Sequence, residues 1–507
     1  MKSRPLSSTV PRRRCSHSPA PGLALVLFLL VSAAAAAPVQ AQGYFDGTKG
    51  ARASGRAGAF TARADDLSAL QVNPAGLRHV QGTLIQVGDR FSHNAYGYTR
   101  DATRDVSQTQ NGVAPLVAFD EVDNGHPWQL LDPILGVASN LGLQQWRFAL
   151  AAYAPAGIGR EAYPRDGGQR YMMVSRDSQM LDYVAAAAFT PTDTFAVGAS
   201  LQWIVVPKLQ YQLVFDGTTL PREAHPVASG LDMLATVDST DPFTLNAIVG
   251  AQFKPAPSWE LGVAGQVIPT SIEAHGTLAV EPLSSKLTDE VILRRGVDRA
   301  NDVRLRLPLP ITARAGIRYI QHDGKRELFD IELDGGYEAW SVVRQFTLDT
   351  NGIEAEFLGQ RLPIDKVNIE KHWRDIWSAR LGGDYAVIAN LLTARGGVFY
   401  QSAAAPAAYA NVDFAAASQL GGALGLSLLL QHLEIALAYE LHHALEVHAS
   451  EADARVYQQV PGSQCTAPYT DTDLCNEAYL GQPSPVVNAG RYRATSHVVA
   501  MDVLYRF

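Results

Sequence analysis

Three cysteines occur in 507 residues, too few for a disulfide framework or a cysteine-based metal cluster. Cys15 precedes the first apolar run, so it cannot be the acylated cysteine of a lipoprotein, which would follow that run. Cys465 and Cys475 lie close together in the polar stretch CTAPYTDTDLC. In an oxidising compartment they are expected to close a small disulfide loop, worth about 3 kcal/mol at best. The chain has no G-x-S-x-G elbow, no H-E-x-x-H zinc helix, no G-x-x-x-x-G-K-[ST] phosphate loop and no G-x-G-x-x-G dinucleotide turn. Beyond Val39 nothing approaches the about 20 unbroken apolar residues of a spanning helix. Such a chain enters a membrane only as a closed barrel, because lipid satisfies no backbone hydrogen bonds.

What is there begins with an export signal. Lys2, Arg4 and Arg12–Arg14 form a basic region, and LALVLFLLV supplies an apolar core. The alanine run then ends in Val39-Gln40-Ala41, which predicts a signal peptide over residues 1–41 with cleavage before Gln42. These 41 residues hold five of the 42 Lys and Arg and none of the 50 Asp and Glu, so the remainder carries a net charge of −13. That balance argues against nucleic acid as a partner, which needs a basic face.

The remainder alternates with period two. In TSHVVAMDVLYRF, Val499, Met501, Val503, Tyr505 and Phe507 share one face, while Val498, Ala500, Asp502, Leu504 and Arg506 share the other. In PITARAGIRY, Ile311, Ala313, Ala315, Ile317 and Tyr319 oppose Thr312, Arg314, Gly316 and Arg318. Phe329, Ile331 and Leu333 oppose Asp330, Glu332 and Asp334 on the next run, and HLEIALAYELH sets Glu434 and Glu440 against Leu433, Ile435 and Leu437. Fourteen such runs are expected: 79–99, 132–141, 145–157, 178–190, 194–209, 242–254, 259–280, 302–321, 326–345, 373–387, 391–402, 419–430, 432–448 and 491–507. Tight turns at Gln144, Thr192, PAPS, HDGK, Ala389-Asn390 and Gln431 alternate with long polar links, among them those around Asp289 and Glu354. Short turns on one side and long loops on the other, with aromatics near strand ends, predict an all-β transmembrane antiparallel barrel of about 14 strands. Arg314, Arg318, Asp330, Glu332, Asp334, Arg380, Asp384, Arg395, Glu434, Glu440, Asp502 and Arg506 are expected to face the lumen and pair across strands around a plug.

Residues 42–78 precede the first strand and are rich in small residues. Ala57–Ala64 are expected to form one short helix, and Ser68–Val72 a second, capped by Asp65-Asp66. Asn73-Pro74 stops it. This composition suits a plug packed against a polar wall. The segment GRAGAFTARADDLSALQVNPAGL resembles the hatch of the FadL/TodX family of outer-membrane transporters for long-chain fatty acids and other hydrophobic compounds. Its Gly-Arg-Ala-Gly start, its Ala-Asp-Asp-x-Ser-Ala centre and its Asn73-Pro74-Ala75-Gly76 end carry the resemblance. YAPAGIG, WRDIWSARLGGDYAV, LTARGGVFY and the final YRF also match.

The resemblance implies a barrel over 79–507 plugged by a hatch over 42–78, in the outer membrane of a Gram-negative bacterium. It implies capture of hydrophobic cargo (a fatty acid first, an aromatic or alkane second), hatch movement, and lateral exit through a gap at a kinked third strand. Pro155, Ala156 and Gly157 are the expected opening, since Pro155 removes a ladder donor and Gly157 permits a bend. Tyr44 and Phe45 are expected to close or line the pocket. The expected partners are the hydrophobic ligand, outer-membrane lipids and lipopolysaccharide, and the barrel-assembly machinery; no cofactor is expected. The rival readings are a general diffusion porin, a structural or surface-interaction barrel, and an outer-membrane lipid hydrolase using Ser496-His497 or Ser427 with His432. His442, His443 and His448 are expected to be an exposed strand-end cluster, not a metal site.

Overall fold

The computed structural model describes residues 49–507 except 106–107, 109, 112, 155–158, 217–229, 284–289, 358, 415–416 and 459–484. Its strands, with collinear pieces grouped, form a closed ring of fourteen. β1 is Thr83–Arg100, β2 Ile134–Ser139, β3 Trp146–Tyr153 with Gly159–Ala162, β4 Ser175–Thr192, and β5 Phe195–Asp216. β6 spans Asp232–Ala256, β7 Trp259–Gln266 with Thr270–Pro282, β8 Asp302–Leu309 with Thr312–Asp323, and β9 Arg326–Glu338 with Gln345–Phe357. β10 is Gln360–Glu370 with Ile376–Ile388, β11 Leu392–Gln401, and β12 Gln419–Leu430. Leu433–Ala444 with Val447–Ala449 makes β13, and Gly490–Arg506 makes β14. Neighbours are antiparallel, and the ring closes by pairing β1 with β14, from Leu84↔Arg506 to Arg100↔Gly490. No edge is left, which is what removes every unpaired backbone group from lipid.

The alternation read from the sequence holds in the lower half of the ring. Val499, Met501, Leu333, Ile317, Val398 and Leu424 point outward and are exposed, while Asp502, Glu332, Arg318 and Arg395 point inward and are buried. Aromatic groups stack at two levels of the outer surface. One level holds Trp146 with Phe189, Trp259 with Tyr319, and Tyr505 with Phe507 near the short turns. Tyr183 with Trp203 and Trp377 with Tyr400 lie higher. Two such girdles bracket an apolar band.

Above that band the wall inverts on β5–β10. Register shifts occur between Val205 and Lys208 on β5 and between Ile204, Val206 and Leu209 against β6. β7 breaks after Gln266, β8 after Leu309, β9 after Glu338 and β10 after Glu370. These breaks share one level, since Tyr153, Asp182, Ile204 and Thr244 are successive partners, as are Thr312, Glu338 and Ile376. Prolines cause four of them: Pro207, Pro242, Pro269 and Pro310 have no backbone N–H for the ladder. On β8 the buried positions are Thr312, Gly316, Arg318 and Ile320 below the break but Val303, Leu305, Leu307 and Leu309 above it, while Arg304 and Arg306 turn outward. Below this waist the wall is apolar outside and, except along β1–β4, mostly polar inside. Above it, on β5–β10, the wall is polar outside and mostly apolar inside, as in a barrel that stands in water, whereas Gln419, His442, Thr495 and Ser496 keep the inner face of β12–β14 polar.

Two expectations are corrected here. The link around Glu354 is not a loop but a hairpin, Gln345–Phe357 with Gln360–Glu370, that extends β9 and β10 upward. Its outward Glu354 and Glu356 resemble loop polarity, but its inward Ile353, Ala355 and Phe357 are core. The link around Asp289 likewise contains a small hairpin, Ile292–Arg295 with Asp298–Arg299. β5 and β6 also run longer than expected, to Asp216 and from Asp232.

The apolar band makes a prediction. Leu424 is outward in the middle of β12 and Leu430 is outward at its end. Leu424→Arg is expected to cost about 2–4 kcal/mol, and Leu430→Arg about 0–1 kcal/mol. Denaturant titrations of barrels folded into vesicles measure both.

Candidate functional site

The first described residues fold inside the lower ring. They form α1 (Ala51–Ser54), α2 (Ala69–Val72) and a 3-10 helix over Pro74–His79, and all the side chains of both α-helices are buried. The helix expected over Ala57–Ala64 is absent: α1 lies earlier, and Ala57 and Ala64 adopt φ of 52° and 34°. The cause is the wall. Phe60 N and Thr61 N each donate to Asp334 Oδ2 at 2.9 Å, and Ala62 N donates to Glu332 Oε1 at 2.6 Å. Wall carboxylates thereby take the amide hydrogens that helical carbonyls would need. The second helix is close to its expected place, and Asp66 Oδ1 accepts from Ser68 N at 2.9 Å at its start.

Asn73, Pro74, Ala75 and Gly76 sit together at the exit of this plug, all buried. Asn73 Nδ2 donates to the Thr61 carbonyl at 2.8 Å and to the Ala251 carbonyl of β6 at 3.2 Å, while its Oδ1 accepts from Ala75 N at 3.2 Å. Asn73 therefore ties plug to plug and plug to wall. A Cβ on Gly76 would lie 2.1 Å from the Ala64 carbonyl oxygen, so only glycine passes there.

The plug touches the wall backbone to backbone. An added Cβ would fall 2.4 Å from the Pro74 carbonyl carbon at Gly198, 2.3 Å from Thr61 O at Gly262, 2.4 Å from Arg56 O at Gly382 and 3.0 Å from Gly55 Cα at Gly425. At Gly397 it would lie 2.4 Å from Arg56 C and O. Inward glycines on β5, β7, β10, β11 and β12 thus form a seat for the segment.

Around strands β6–β14 the seat is ionic. Lys254 meets Glu260 at 3.0 Å, Glu260 meets Arg318 at 2.7 Å, and Arg318 meets Asp330 at 3.0 Å. Arg56 of the plug bridges Asp330 at 2.6 Å, Glu332 at 2.9 Å and Asp384 at 2.7 Å. Asp384 meets Arg395 at 2.9 Å, Arg395 meets Glu434 at 3.5 Å, and Glu434 meets Arg506 at 2.9 Å. Asp502 accepts from Ala51 N at 2.7 Å and from Gln86 Nε2 at 2.9 Å, and Glu440 lies 3.5 Å from Arg90. Arg380 donates to the Ala57 carbonyl at 3.0 Å, and Arg314 lines a small cavity with Asp334 and Arg380. Of the lumen charges picked out from alternation, Arg318, Asp330, Asp384, Arg395, Glu434, Glu440 and Arg506 pair across strands, while Glu332, Asp334, Arg380 and Asp502 bond the plug, with Arg56 at the centre. Along β1–β4 the seat is apolar instead: Leu67, Leu70, Leu77 and Val80 pack on Leu84, Ile134, Ala149, Tyr153, Val184 and Ala186.

Above the waist lies a large apolar interior. Ile204, Leu209, Ile272, Leu278, Val303, Leu307, Trp340, Phe346, Leu348 and Trp373 belong to one buried cluster. Two ion pairs stand at its border, and Trp340 Nε1 donates to Glu338 at 2.7 Å. Lys371 Nζ lies 2.6 and 2.5 Å from the two carboxylate oxygens of Asp413, and Arg176 pairs with Glu161. Sequence reasoning missed both pairs, along with the central role of Arg56; a lone arginine in GRAGAF was the only signal for the latter.

The remaining candidates separate. Tyr44, Phe45, Pro155, Ala156, Gly157, Cys465 and Cys475 lie outside the described residues. His442 is not exposed, as expected of it, but buried, 3.1 Å from Glu440 and edge-on to Phe399, because its strand position faces the lumen. His448 instead meets Asp101 at 2.9 Å. Ser496 bonds Asn94, whereas His497 Nδ1 meets Tyr439 Oη at 2.7 Å on the opposite face. Ser427 accepts from Arg395.

The seat predicts two variants. In a background with Ala59→Cys, Arg56→Met takes from Glu332 its ion-pair partner and leaves Asp330 and Asp384 to Arg63, Arg318 and Arg395; labelling from the periplasmic side is expected to rise roughly tenfold or more, since breaking a buried pair costs about 3–5 kcal/mol. Gly397→Val is expected to do the same by steric exclusion while its barrel still resists heating in detergent.

A family model described as outer membrane protein transport protein (OMPP1/FadL/TodX) matches residues 31–464. No curated protein matches the chain. Among solved structures, a Pseudomonas aeruginosa FadL homologue aligns with a TM-score of 0.70 at 18% identity, covering 92% of this chain and 100% of that one. The Pseudomonas putida toluene transporter TodX aligns at 0.58 and 15% identity, covering 92% and 99%. The Ralstonia pickettii toluene transporter TbuX gives 0.57 and 15%, covering 90% and 98%. A closed fourteen-strand ring, a seated N-terminal plug and a match along most of its length make this chain a member of the FadL/TodX family of outer-membrane transport proteins.

Proposed function

We propose that the protein carries long-chain fatty acids or other hydrophobic small molecules through the outer membrane, by capture in the upper chamber, movement of the hatch and lateral exit into the bilayer. The observation that carries this reading is the inversion at the waist. An apolar interior stands above a lower lumen that is polar and filled, so an apolar molecule is solvated in the upper half and blocked below it. Toluene transporters among the structural neighbours support the same cargo class.

The lateral route draws support from the register of β3. Tyr153 pairs with Asp182 and Gly159 with Ser178, so six residue steps on β3 face four on β4. The two extra steps lie between Tyr153 and Gly159. The plug's apolar seat on β1–β4 lies on the same side of the ring.

A general porin is the rival. Planar-bilayer recordings are expected to show small or no steady conductance for the full protein, and large conductance once residues 44–76 are deleted. Large conductance in the intact protein would favour the porin. For the exit, Pro155→Val with Gly157→Thr replaces the proline and glycine by strand-favouring residues. Uptake is expected to fall while ligand binding and heat resistance persist; unchanged uptake in a folded, surface-expressed variant removes the lateral route.

A further inference from the structure

The two ion pairs beside the chamber bear on what kind of molecule it accepts. Lys371 follows the upper piece of β10, and Asp413 lies in the link between β11 and β12. Their side chains are 1% and 0% exposed, and both carboxylate oxygens of Asp413 are within 2.6 Å of Nζ. The ammonium also stands 5.1 Å from the Phe346 ring centre and 6.0 Å from that of Phe414. Arg176 of β4 stacks its guanidinium 4.4 Å from the Phe414 centre and pairs with Glu161 of β3. Tyr211 Oη donates to the Met172 carbonyl at 2.8 Å and lies 3.5 Å from Asp413. Phe346 and Trp373 belong to the chamber's own cluster, and Phe414 packs against it.

Two cations at the border of an apolar space would ordinarily recruit an anionic ligand. Here each already has a carboxylate supplied by the chain, and the two pairs sum to zero charge. An entering carboxylate must displace Asp413 or Glu161, leaving a buried anion without its partner. An uncharged molecule needs no such exchange. Resting on the hydrophobic-cargo reading above and choosing between its two cargo classes, we infer that the chamber selects uncharged hydrophobic molecules, such as hydrocarbons or alcohols, over fatty-acid carboxylates, and that Asp413 is a specificity-determining residue that keeps anionic amphiphiles out.

The test uses the full mature protein in nanodiscs, with 1-dodecanol and dodecanoate as chain-matched probes at neutral pH. Wild type is expected to bind dodecanol at least about tenfold more tightly than dodecanoate, because only the anion must break a buried pair. Asp413→Asn frees the Lys371 charge, so dodecanoate binding is expected to tighten about tenfold while dodecanol stays within about twofold. A wild type that prefers dodecanoate, or an Asp413→Asn variant with an unchanged ratio, overturns the inference. If that variant does not fold, Lys371→Met with Asp413→Leu removes the pair as a unit and is expected to keep the preference for dodecanol; equal binding of the two probes overturns the inference. Binding of neither probe by folded wild type overturns the cargo reading itself, a different result from a preference for the acid.

Discussion

The Arg56 guanidinium is held between three carboxylates from two neighbouring strands, and the lower ring is arranged to keep it there. A ring of fourteen strands is too wide to be filled by its own side chains. Something must occupy the middle, and in a polar lumen it must answer charge with charge. Asp330, Glu332 and Asp384 would be prohibitive neighbours without a cation between them. With Arg56 in place they become a socket, and the chain of alternating charges from Lys254 to Arg506 spreads that compensation over most of the circumference.

That socket dictates the shape of the plug. Glu332 and Asp334 accept amide hydrogens from Phe60 to Ala62, so the segment runs as turns where isolated propensity favours helix. Asn73 then closes the path by bonding both Thr61 and β6. The apolar side of the plug faces β1–β4, and the charged side faces the rest. One face is held by a continuous network of charges and the other mainly by apolar contact, with Lys49 on Asp132, Leu67 N on Gln86 and Arg147 on the Val80 carbonyl as its polar ties, and the β3 irregularity lies on that second side.

Much of this was readable before any coordinates. TSHVVAMDVLYRF and PITARAGIRY disclose their two faces because lipid on one side and a polar lumen on the other enforce strict alternation. The same rule explains where reading failed. Above the waist, water replaces lipid outside and the alternation changes sense, so TLDTNGIEAEF resembles a polar link when it is a strand with an apolar interior. The helix over Ala57–Ala64 was misplaced because its competitor lies some 270 residues away, at Glu332 and Asp334. Lys371 and Asp413 are 42 residues apart, and neither spacing nor composition links them.

The glycine seat has a consequence for sequence drift. At Gly262, Gly382 and Gly397 the wall meets peptide carbonyls of the plug, and a carbonyl is the same whichever residue bears it. The plug can therefore exchange side chains at Arg56's neighbours without altering the surface those glycines touch. The glycines themselves cannot gain even one methyl group. Within a lineage of such barrels, substitutions should accumulate on the plug beside those contacts and be purged from the wall, the reverse of the usual division between a variable loop and its scaffold.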